Sequence, residues 1–260
     1  MLQTTRKKDG NMGRLAQDTF ICFDLETTGL DPVHDRIIEI AIVKFTLDQT
    51  IDSFESLIDP EKIIPDETIK IHHITNDMVI GKPKIEELLP QILKKLSGHI
   101  IVGHGIRLDM EFIIQACKRH DIPTTLGSAR YIDTLRMARL YGQSPTNSLE
   151  KLRMHFNIND EGAHRAMSDV VVNIEVFKYL TQNFKTSEDI LRRLEKPILL
   201  RTMPLGKHKG RLFNEIPTEY LRWALGKDFD QDLVFSIKNE LKKRKDGTRF
   251  HQIASPFSDL

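Results

Sequence analysis

Two carboxylates stand at the end of an apolar segment in the N-terminal part of the chain. In "TFICFDLETTGL", Asp24 and Glu26 close a run that is typical of a buried strand. Because side chains alternate along a strand, both project from the same face, about 7 Å apart along the chain. Like charges on one face of a central strand repel each other unless a cation lies between them. The pair therefore indicates a cation site, with a surface pair balanced by Lys or Arg as the structural alternative.

Two further acids and a histidine stand near the starts of helices. Asp109, in "VGHGIRLDMEF", lies in the first turn of a helix after a Gly-rich bend, where the helix dipole favours an acid. Asp169 precedes three valines in "HRAMSDVVV", and an acid on so apolar a helix face needs a partner. His164 lies five residues before Asp169, just ahead of that helix. We expect these residues to meet Asp24 and Glu26 at one edge of a sheet.

The periodicity of the chain predicts the elements that position these residues. Three strands come first, in "TFICFDLE", "RIIEIAIVKFT" and "TIDSFESLIDP", and their short connections indicate antiparallel pairing. Helices and two short strands alternate after them, up to a long closing helix that begins near Asp169. The order βββαβαβαα predicts an α/β domain in which helices flank a mixed sheet.

Three segments together resemble the motifs of a known enzyme family. "FDLETTG", "GHGIRLDMEF" and "HRAMSD" are similar to the motifs of the DEDDh, or DnaQ-like, 3′→5′ exonucleases, which include the epsilon proofreading subunit of bacterial DNA polymerase III. The four-residue gap between His164 and Asp169 matches the histidine subclass of that family. The resemblance covers residues 19–181 and implies a ribonuclease H-like fold with a mixed five-stranded sheet.

The resemblance also implies how the acids and the histidine would act. Asp24 would bridge two divalent cations, Mg²⁺ or Mn²⁺, which favour carboxylate ligands. Glu26 and Asp169 would complete the first site, and Asp109 would act through water. His164 would be the general base, since a neutral imidazole with a pKa of about 6.5 can take a proton from the attacking water at physiological pH.

Four residues are candidate substrate contacts. Thr27 and Leu30 would receive the terminal nucleotide, with Leu30 packing against its base. His104 and Arg107 would contact the substrate from the second motif. Gly105 departs from the Asn that many relatives have at this position, which affects the grip on the substrate and not the metal chemistry.

We expect the enzyme to act at the 3′ end of single-stranded or frayed DNA and to release nucleoside monophosphates in proofreading or repair, with a replicative polymerase as a candidate partner. Two alternatives stay open. An exoribonuclease that trims RNA ends would use the same metals, and only contacts to the 2′ position separate the two substrates. A non-catalytic nucleic-acid-binding adaptor would not need the complete set of acids with His164, which this chain retains.

The C-terminal part has a different character. "MPLGKHKGRLF" resembles a small uncharacterised module with the pattern M-P-x-G-K-x-K-G. Lys207, Lys209 and Arg211 are candidate nucleic-acid contacts in its basic turn. The spacing of Tyr220 and Trp223 favours a place in the core of this module over an exposed binding face.

Composition sets the remaining expectations. No segment approaches the roughly 18 apolar residues of a membrane span, and the polar start lacks an apolar signal region, so we expect a cytoplasmic protein without a membrane partner. The two cysteines form no C-x-x-C pair, which argues against a zinc site. Residues 199–260 carry 12 Lys and Arg against 8 Asp and Glu. We expect a flexible leader (1–18), the exonuclease domain (19–181), a helical linker (182–198) and a small basic C-terminal domain (199–260).

Overall fold

A five-stranded sheet organises the larger part of the chain. The computed structural model describes residues 15–144, 146–159, 165–227 and 229–253. The chain divides into two compact units, the first ending at Leu194 and the second starting at Glu195. The sheet lies in the first unit and confirms the mixed five-stranded sheet that we expected. Its strands are β1 (Phe20–Thr27), β2 (Ile37–Phe45), β3 (Thr50–Leu57), β4 (Ile100–Gly103) and β5 (Tyr131–Asp133).

The strand order places β1 at the centre of the sheet. The order is β3-β2-β1-β4-β5, with antiparallel pairing among β1, β2 and β3 and parallel pairing of β4 with β1 and β5. Short connections allow the first three strands to pair antiparallel, whereas β4 and β5 follow helices and can run parallel to β1. The C-terminal ends of β1, β4 and β5 therefore meet at one edge of the sheet.

Helices cover both faces of this sheet. The chain up to residue 195 contains eight described α-helices, which are α1 (Asp66–His72), α2 (Asn76–Val79), α3 (Ile85–Leu96), α4 (Arg107–Arg119), α5 (Thr134–Tyr141), α6 (Leu149–His155), α7 (Ala166–Thr181) and α8 (Ser187–Glu195). In the described ranges, no helix has the length and apolar character needed to cross a bilayer.

The core has two layers, one on each face of the sheet. Phe20 and Cys22 of β1 pack with α7 on one face, where the Phe20 and Phe177 rings meet edge to face at 5.1 Å. Ile21 and Phe23 pack with α3 and α4 on the other face. Because strand side chains alternate, the residues that follow Cys22 at every second position continue the α7 face.

Helix α7 is buried on several sides. It contacts β1, β2, β4, α5 and α6. Val170, Val172, Ile174 and Phe177 are all buried, although they lie on different sides of the helix. A helix enclosed in this way holds its first turn in a fixed position relative to the sheet.

The first unit is larger at both ends than we expected. Leu15 is buried in the α7 layer, and its backbone amide donates to the carbonyl of Lys185 at 2.8 Å, so residues from Leu15 onward are not part of a flexible leader. Residues 1–14 lie outside the described residues. Ile190 and Leu194 of α8 are also buried in this layer, so most of the expected linker belongs to the folded unit.

The second unit has a core of its own. It contains α9 (Thr218–Leu225) and α10 (Gln231–Ile253). Leu221, Leu233 and Ile237 of these helices pack with Met203 and Phe213.

Candidate active site

The C-terminal part of β1 carries the first two acids of the site. Asp24 and Glu26 continue the α7 face of the sheet after Cys22. Helix α7 starts at Ala166, which places Asp169 in its first turn. One carboxylate oxygen from each of Asp24, Glu26 and Asp169 lies within 4.8 Å of the other two. Folding therefore brings together three acids that are far apart in the sequence.

Asp109 approaches the same strand from α4. It lies in the first turn of this helix. The backbone amides of Asp109 itself and of Leu25 in β1 favour its charged form and so lower its pKa. After burial itself, the charge of Asp109 is the largest cause of the raised pKa of Asp24. Asp109 therefore belongs to the same electrostatic cluster, although it is not one of the three mutually close acids.

The cluster is costly to ionise without a cation. Burial raises the pKa of Asp24 well above its ordinary value, and the charges of Asp109 and Asp169 raise it further. Burial, followed by the charge of Asp169, raises the pKa of Glu26 to about 8. Burial also raises the pKa of Asp109 to about 7. Carboxyls that retain protons near neutral pH can instead be neutralised by a bound cation.

The three close acids suit a hard divalent cation. Mg²⁺ and Mn²⁺ favour oxygen ligands, and all three members of the group found among the described residues are carboxylates. Cys22 lies on the same strand, but burial raises the pKa of its thiol, which favours the protonated form. Its sulfur accepts a hydrogen bond from the Asn173 side-chain amide at 3.4 Å.

A fifth acid, Glu39 on β2, was missed by the sequence analysis. It is paired with Glu26 across the two strands, and only 6% of its surface is exposed. Its Oε1 accepts a hydrogen bond from Arg165 Nε at 3.0 Å, and its Oε2 accepts one from the Ala166 amide at 3.0 Å. The second bond satisfies a backbone donor in the first turn of α7. Glu39 therefore anchors the helix that carries Asp169.

Hydrogen bonds hold the turn that follows β1, and Leu30 lies in this turn. The Thr28 hydroxyl donates to Asp35 Oδ1 at 3.1 Å. A Cβ atom on Gly29 would lie 2.3 Å from Asp35 Oδ2, so a larger residue there would have to displace the Asp35 side chain. The Thr27 hydroxyl donates to the carbonyl of Gly29 at 2.6 Å. Leu30 is 80% exposed, so it is open to a ligand and does not anchor the turn.

His104 has different surroundings from those we expected. Its Nε2 donates to the carbonyl of Asn147 at 2.8 Å, and its Nδ1 lies 3.1 Å from the Thr134 hydroxyl. Burial lowers its pKa to about 4, so the ring is neutral at physiological pH. These bonds leave neither ring nitrogen for a substrate contact. His104 instead ties the bend after β4 to the segment before α6.

The conformation of the bend between β4 and α4 accounts for the glycine at position 105. Gly105 has a φ of +74°, and its amide donates to Asp133 Oδ1 at 3.0 Å. Glycine adopts this region without strain and Asn tolerates it better than most residues, so either fits the bend. Arg107 begins α4 and is exposed. Its role as a substrate contact stays a prediction.

Four of the predicted residues lie in the second unit or outside the described residues. His164 lies outside the described residues, so its role as general base stays a prediction. Lys207, Lys209 and Arg211 are exposed residues of the second unit.

Two family models match the chain. A model described as an exonuclease, of the RNase T type, matches residues 21–177, which is more than half of the chain. A second model, described as a putative quorum-sensing-regulated virulence factor, matches residues 192–234. The first match contains all four predicted acids and His164, and the second contains the basic turn.

Curated relatives carry the name DNA polymerase III. The DNA polymerase III subunit epsilon of Treponema pallidum is 35% identical over 165 residues, which covers 61% of this chain and 74% of that protein. The epsilon subunit of Aquifex aeolicus is 31% identical over 188 residues, covering 70% of this chain and 92% of that protein. The PolC-type DNA polymerase III of Clostridium perfringens is 33% identical over 174 residues, but the match spans only 12% of its length.

Solved exonuclease structures share the fold. Exonuclease X in complex with 5′ overhanging duplex DNA has a TM-score of 0.55 at 23% identity, covering 66% of this chain and 98% of that one. Escherichia coli exonuclease I in complex with a dA16 oligonucleotide has a TM-score of 0.59 at 20% identity, covering 69% of this chain and 43% of that one. Together with the exonuclease model and the epsilon relatives, the five-stranded fold and its acidic cluster establish that this chain belongs to the DnaQ-like exonuclease family and is a nuclease.

Proposed function

We propose that the protein is a metal-dependent 3′→5′ exonuclease that releases nucleoside monophosphates from single-stranded or frayed DNA, in proofreading or repair. The observation that carries this proposal is the approach of the Asp24, Glu26 and Asp169 carboxylates to within 4.8 Å of one another. Membership of the exonuclease family supports phosphodiester hydrolysis, and the acidic cluster supports a dependence on metal.

Two divalent cations, Mg²⁺ or Mn²⁺, are the proposed cofactors. Asp24 would bind both, Glu26 and Asp169 would complete the first site, and Asp109 would contribute through water. When bound, such cations stabilise the negative charge that develops on the phosphate and on the departing oxygen. In the protein, these four half-buried acids would hold the cations at the C-terminal end of β1.

His164 is the proposed general base. A neutral imidazole can take the proton of the attacking water as the water oxygen bonds to phosphorus. The bond from phosphorus to the 3′ oxygen of the preceding nucleotide then breaks, and the terminal nucleotide leaves as a 5′-monophosphate. The ion pair between Arg165 and Glu39 supports this role, because it fixes the residue that follows His164.

The names of the relatives favour DNA as the substrate. The curated relatives are DNA polymerase III proteins, and exonucleases X and I have been solved with DNA bound. On the same ground, a replicative polymerase is the proposed partner. Leu30 would pack against the terminal base, Thr27 would contact the terminal nucleotide and Arg107 would contact a phosphate.

The direct test uses DNA and RNA single strands of one sequence, labelled at the 5′ end and incubated with Mg²⁺ or Mn²⁺. We expect stepwise shortening of the labelled DNA, and rapid release of a mononucleotide when the label is moved to the 3′ end. EDTA and the Asp24→Asn variant should stop both. Glu55→Gln, which neutralises an exposed acid on β3, should react at the wild-type rate.

Three other outcomes of this assay would contradict the proposal in part or as a whole. Shortening of RNA alone would make the protein an exoribonuclease and overturn the choice of DNA. Release from the 5′ end would contradict the direction. Binding of both polymers without shortening would identify a nucleic-acid-binding adaptor and overturn the proposal as a whole.

A further inference from the structure

A basic turn in the second unit is held by its own backbone. The Met203 amide donates to the carbonyl of Arg211 at 2.9 Å, and the Gly210 amide donates to the carbonyl of Met203 at 2.8 Å. Gly206 and Gly210 have φ values of +71° and +84°, which glycine adopts without strain. Met203 is buried in the core of this unit, so its backbone bonds attach the turn to that core.

The turn projects its cationic side chains into solvent. Lys207, Lys209 and Arg211 are all exposed. Arg211 is braced by a hydrogen bond to the carbonyl of Glu215 at 2.8 Å, whereas no bond is described for the two lysine side chains. The lysines can therefore contact an anion without breaking a bond that the structure describes.

A row of rings continues from this turn along α9. His208 packs edge to face against Tyr220, with 4.4 Å between ring centroids, and Tyr220 lies 5.2 Å from Trp223. Trp223 is 54% exposed, whereas Leu221 and Ala224 of the same helix are fully buried. The expectation that Trp223 belongs to the core is therefore wrong, because the opposite face of α9 supplies the core.

A further cation stands at the far end of the row. Lys227 Nζ lies 5.2 Å from the Trp223 ring centroid. The surface thus runs from Lys207 and Lys209 through three rings to Lys227. An exposed indole, supported by the half-buried Tyr220 ring and flanked by exposed lysines, provides the stacking face and the cations that bases and phosphates need from a binding surface.

We propose that this surface, made of the turn 206–211 with Tyr220, Trp223 and Lys227, binds single-stranded nucleic acid through residues of the second unit alone. A base stacks on the exposed Trp223 ring, and phosphates on either side of it contact Lys227 and the turn lysines. A single strand fits better than a duplex, since duplex bases are already stacked on each other and cannot reach the indole. The inference goes beyond the proposed hydrolysis and does not depend on it.

Trp223 provides a local signal, because it is the only tryptophan in the chain. The full-length Asp24→Asn variant is titrated in EDTA with a dT15 single strand and, separately, with a 15-base-pair duplex. We expect saturable quenching of tryptophan emission by the single strand, weaker quenching by the duplex, and lower affinity as salt increases. Unchanged emission at saturation of a labelled dT15, monitored by anisotropy, would overturn the proposal.

Matched variants distinguish binding at this surface from general electrostatic attraction. By anisotropy, Trp223→Ala should weaken dT15 binding at least about fivefold, while Trp223→Phe retains most of the affinity. Lys207→Ala with Lys209→Ala should lower the slope of log affinity against log salt by about 1.4, since each lysine contacts one phosphate. Lys242→Ala with Lys243→Ala removes the same charge from exposed positions of α10 and serves as the control.

The same variants also show whether the surface binds a single strand at a defined site, attracts it only diffusely, or serves another partner. Equal losses in the two double-lysine variants would contradict a defined site and indicate diffuse attraction. Wild-type affinity of Trp223→Ala, with its fold confirmed by circular dichroism, would also overturn the proposal and leave the surface for a protein partner. Because the assay runs without hydrolysis, failure here is distinguishable from failure of the proposed nuclease reaction.

Discussion

Glu26 shows most clearly how the site depends on a cation. Its pKa rises from 4.5 to about 8, through burial first and then through the charges of Asp169 and Glu39. The folded protein therefore binds this proton more tightly than the unfolded chain does. In linkage terms, the metal-free protein loses stability as the pH rises from about 4.5 to about 8, because ionisation is resisted only in the folded state.

Glu26→Gln should remove this loss. Without metal, we expect the variant to exceed the wild type in unfolding free energy by about 1 to 2 kcal/mol at pH 8 and to match it near pH 4.5. Urea unfolding in EDTA at several pH values measures the difference. Mn²⁺ at pH 8 should stabilise the wild type more than the variant. A variant that is less stable than the wild type at pH 8 without metal would contradict this electrostatic explanation.

Leu30 tests the substrate contact separately from the fold. Because the side chain is 80% exposed, Leu30→Ala should leave the melting temperature within about 1 °C of the wild type. The loss of a base contact should raise the KM for single-stranded DNA roughly 5- to 20-fold. Ile80→Ala, at a 72% exposed position, is the matched control and should leave KM unchanged. Equal KM values for the two variants would remove Leu30 from the substrate site.

The sequence identifies acids better than it identifies hydrogen-bond partners. Asp24 and Glu26 were predicted because charge at the end of an apolar strand is costly. The same reasoning applies to Glu39, which interrupts the apolar strand "RIIEIAIVKF" but was not among the predicted residues. His104 differed because its partners, Thr134 at the start of α5 and Asn147 before α6, come close to it only through the tertiary fold.

At the scale of elements, β2 and α7 act together to position Asp169. The Glu39 carboxylate spans the two elements through its bonds to Arg165 and to the Ala166 amide. The bond to the amide holds the first turn of α7, and Asp169 lies within that turn. The anchor therefore affects the geometry of the site without belonging to the three close acids.

Glu39→Gln should weaken this anchor. With Mn²⁺ bound, so that repulsion among the acids is neutralised, we expect a loss of about 1 to 2 kcal/mol in unfolding free energy. The value is modest because the Arg165 side chain is 45% exposed. We expect a tenfold or larger fall in kcat, while Mn²⁺ affinity changes by less than about threefold. Calorimetric Mn²⁺ titration and nuclease kinetics provide the two readouts.

Glu55→Gln is the matched control for that experiment. Glu55 is exposed on β3, on the same sheet face as Glu39. The Glu55→Gln substitution should leave both the unfolding free energy and kcat unchanged. A Glu39→Gln variant with full activity would show that α7 does not need this anchor.

Periodicity predicted most of the elements and missed two short helices. The first three strands and helices α3, α4 and α7 carry clear patterns over enough residues to be recognised. Helices α1 and α2 were not predicted, because they have seven and four residues and cannot be stable in isolation. They form because Ile64, Ile74 and Val79 pack together in a small cluster with β2.

At the scale of the whole molecule, α8 decides where the first unit ends. Ile190 and Leu194 are buried in the α7 layer, although this segment was predicted as a linker. An amphipathic helix next to a proline does not reveal in its sequence which unit its apolar face covers. The tertiary packing supplies that information.

Truncation tests this boundary. A chain that ends at Lys196 keeps α8 and should fold cooperatively and hydrolyse single-stranded DNA. A chain that ends at Thr181 should lose at least about 3 kcal/mol in unfolding free energy, because it loses two buried aliphatic side chains. Chemical unfolding and the end-labelled DNA assay measure both quantities. Equal stability of the two truncated chains would return residues 182–196 to the role of a linker.

The central claim is that Asp24, Glu26 and Asp169 hold the divalent cation on which hydrolysis depends. Anomalous scattering from a crystal soaked in Mn²⁺, at a concentration that supports hydrolysis in solution, tests it most directly. We expect a manganese peak between these three carboxylates, and its loss from an Asp24→Asn crystal soaked in the same way. No peak at this position in an active wild-type protein, or manganese bound elsewhere only, would contradict the claim.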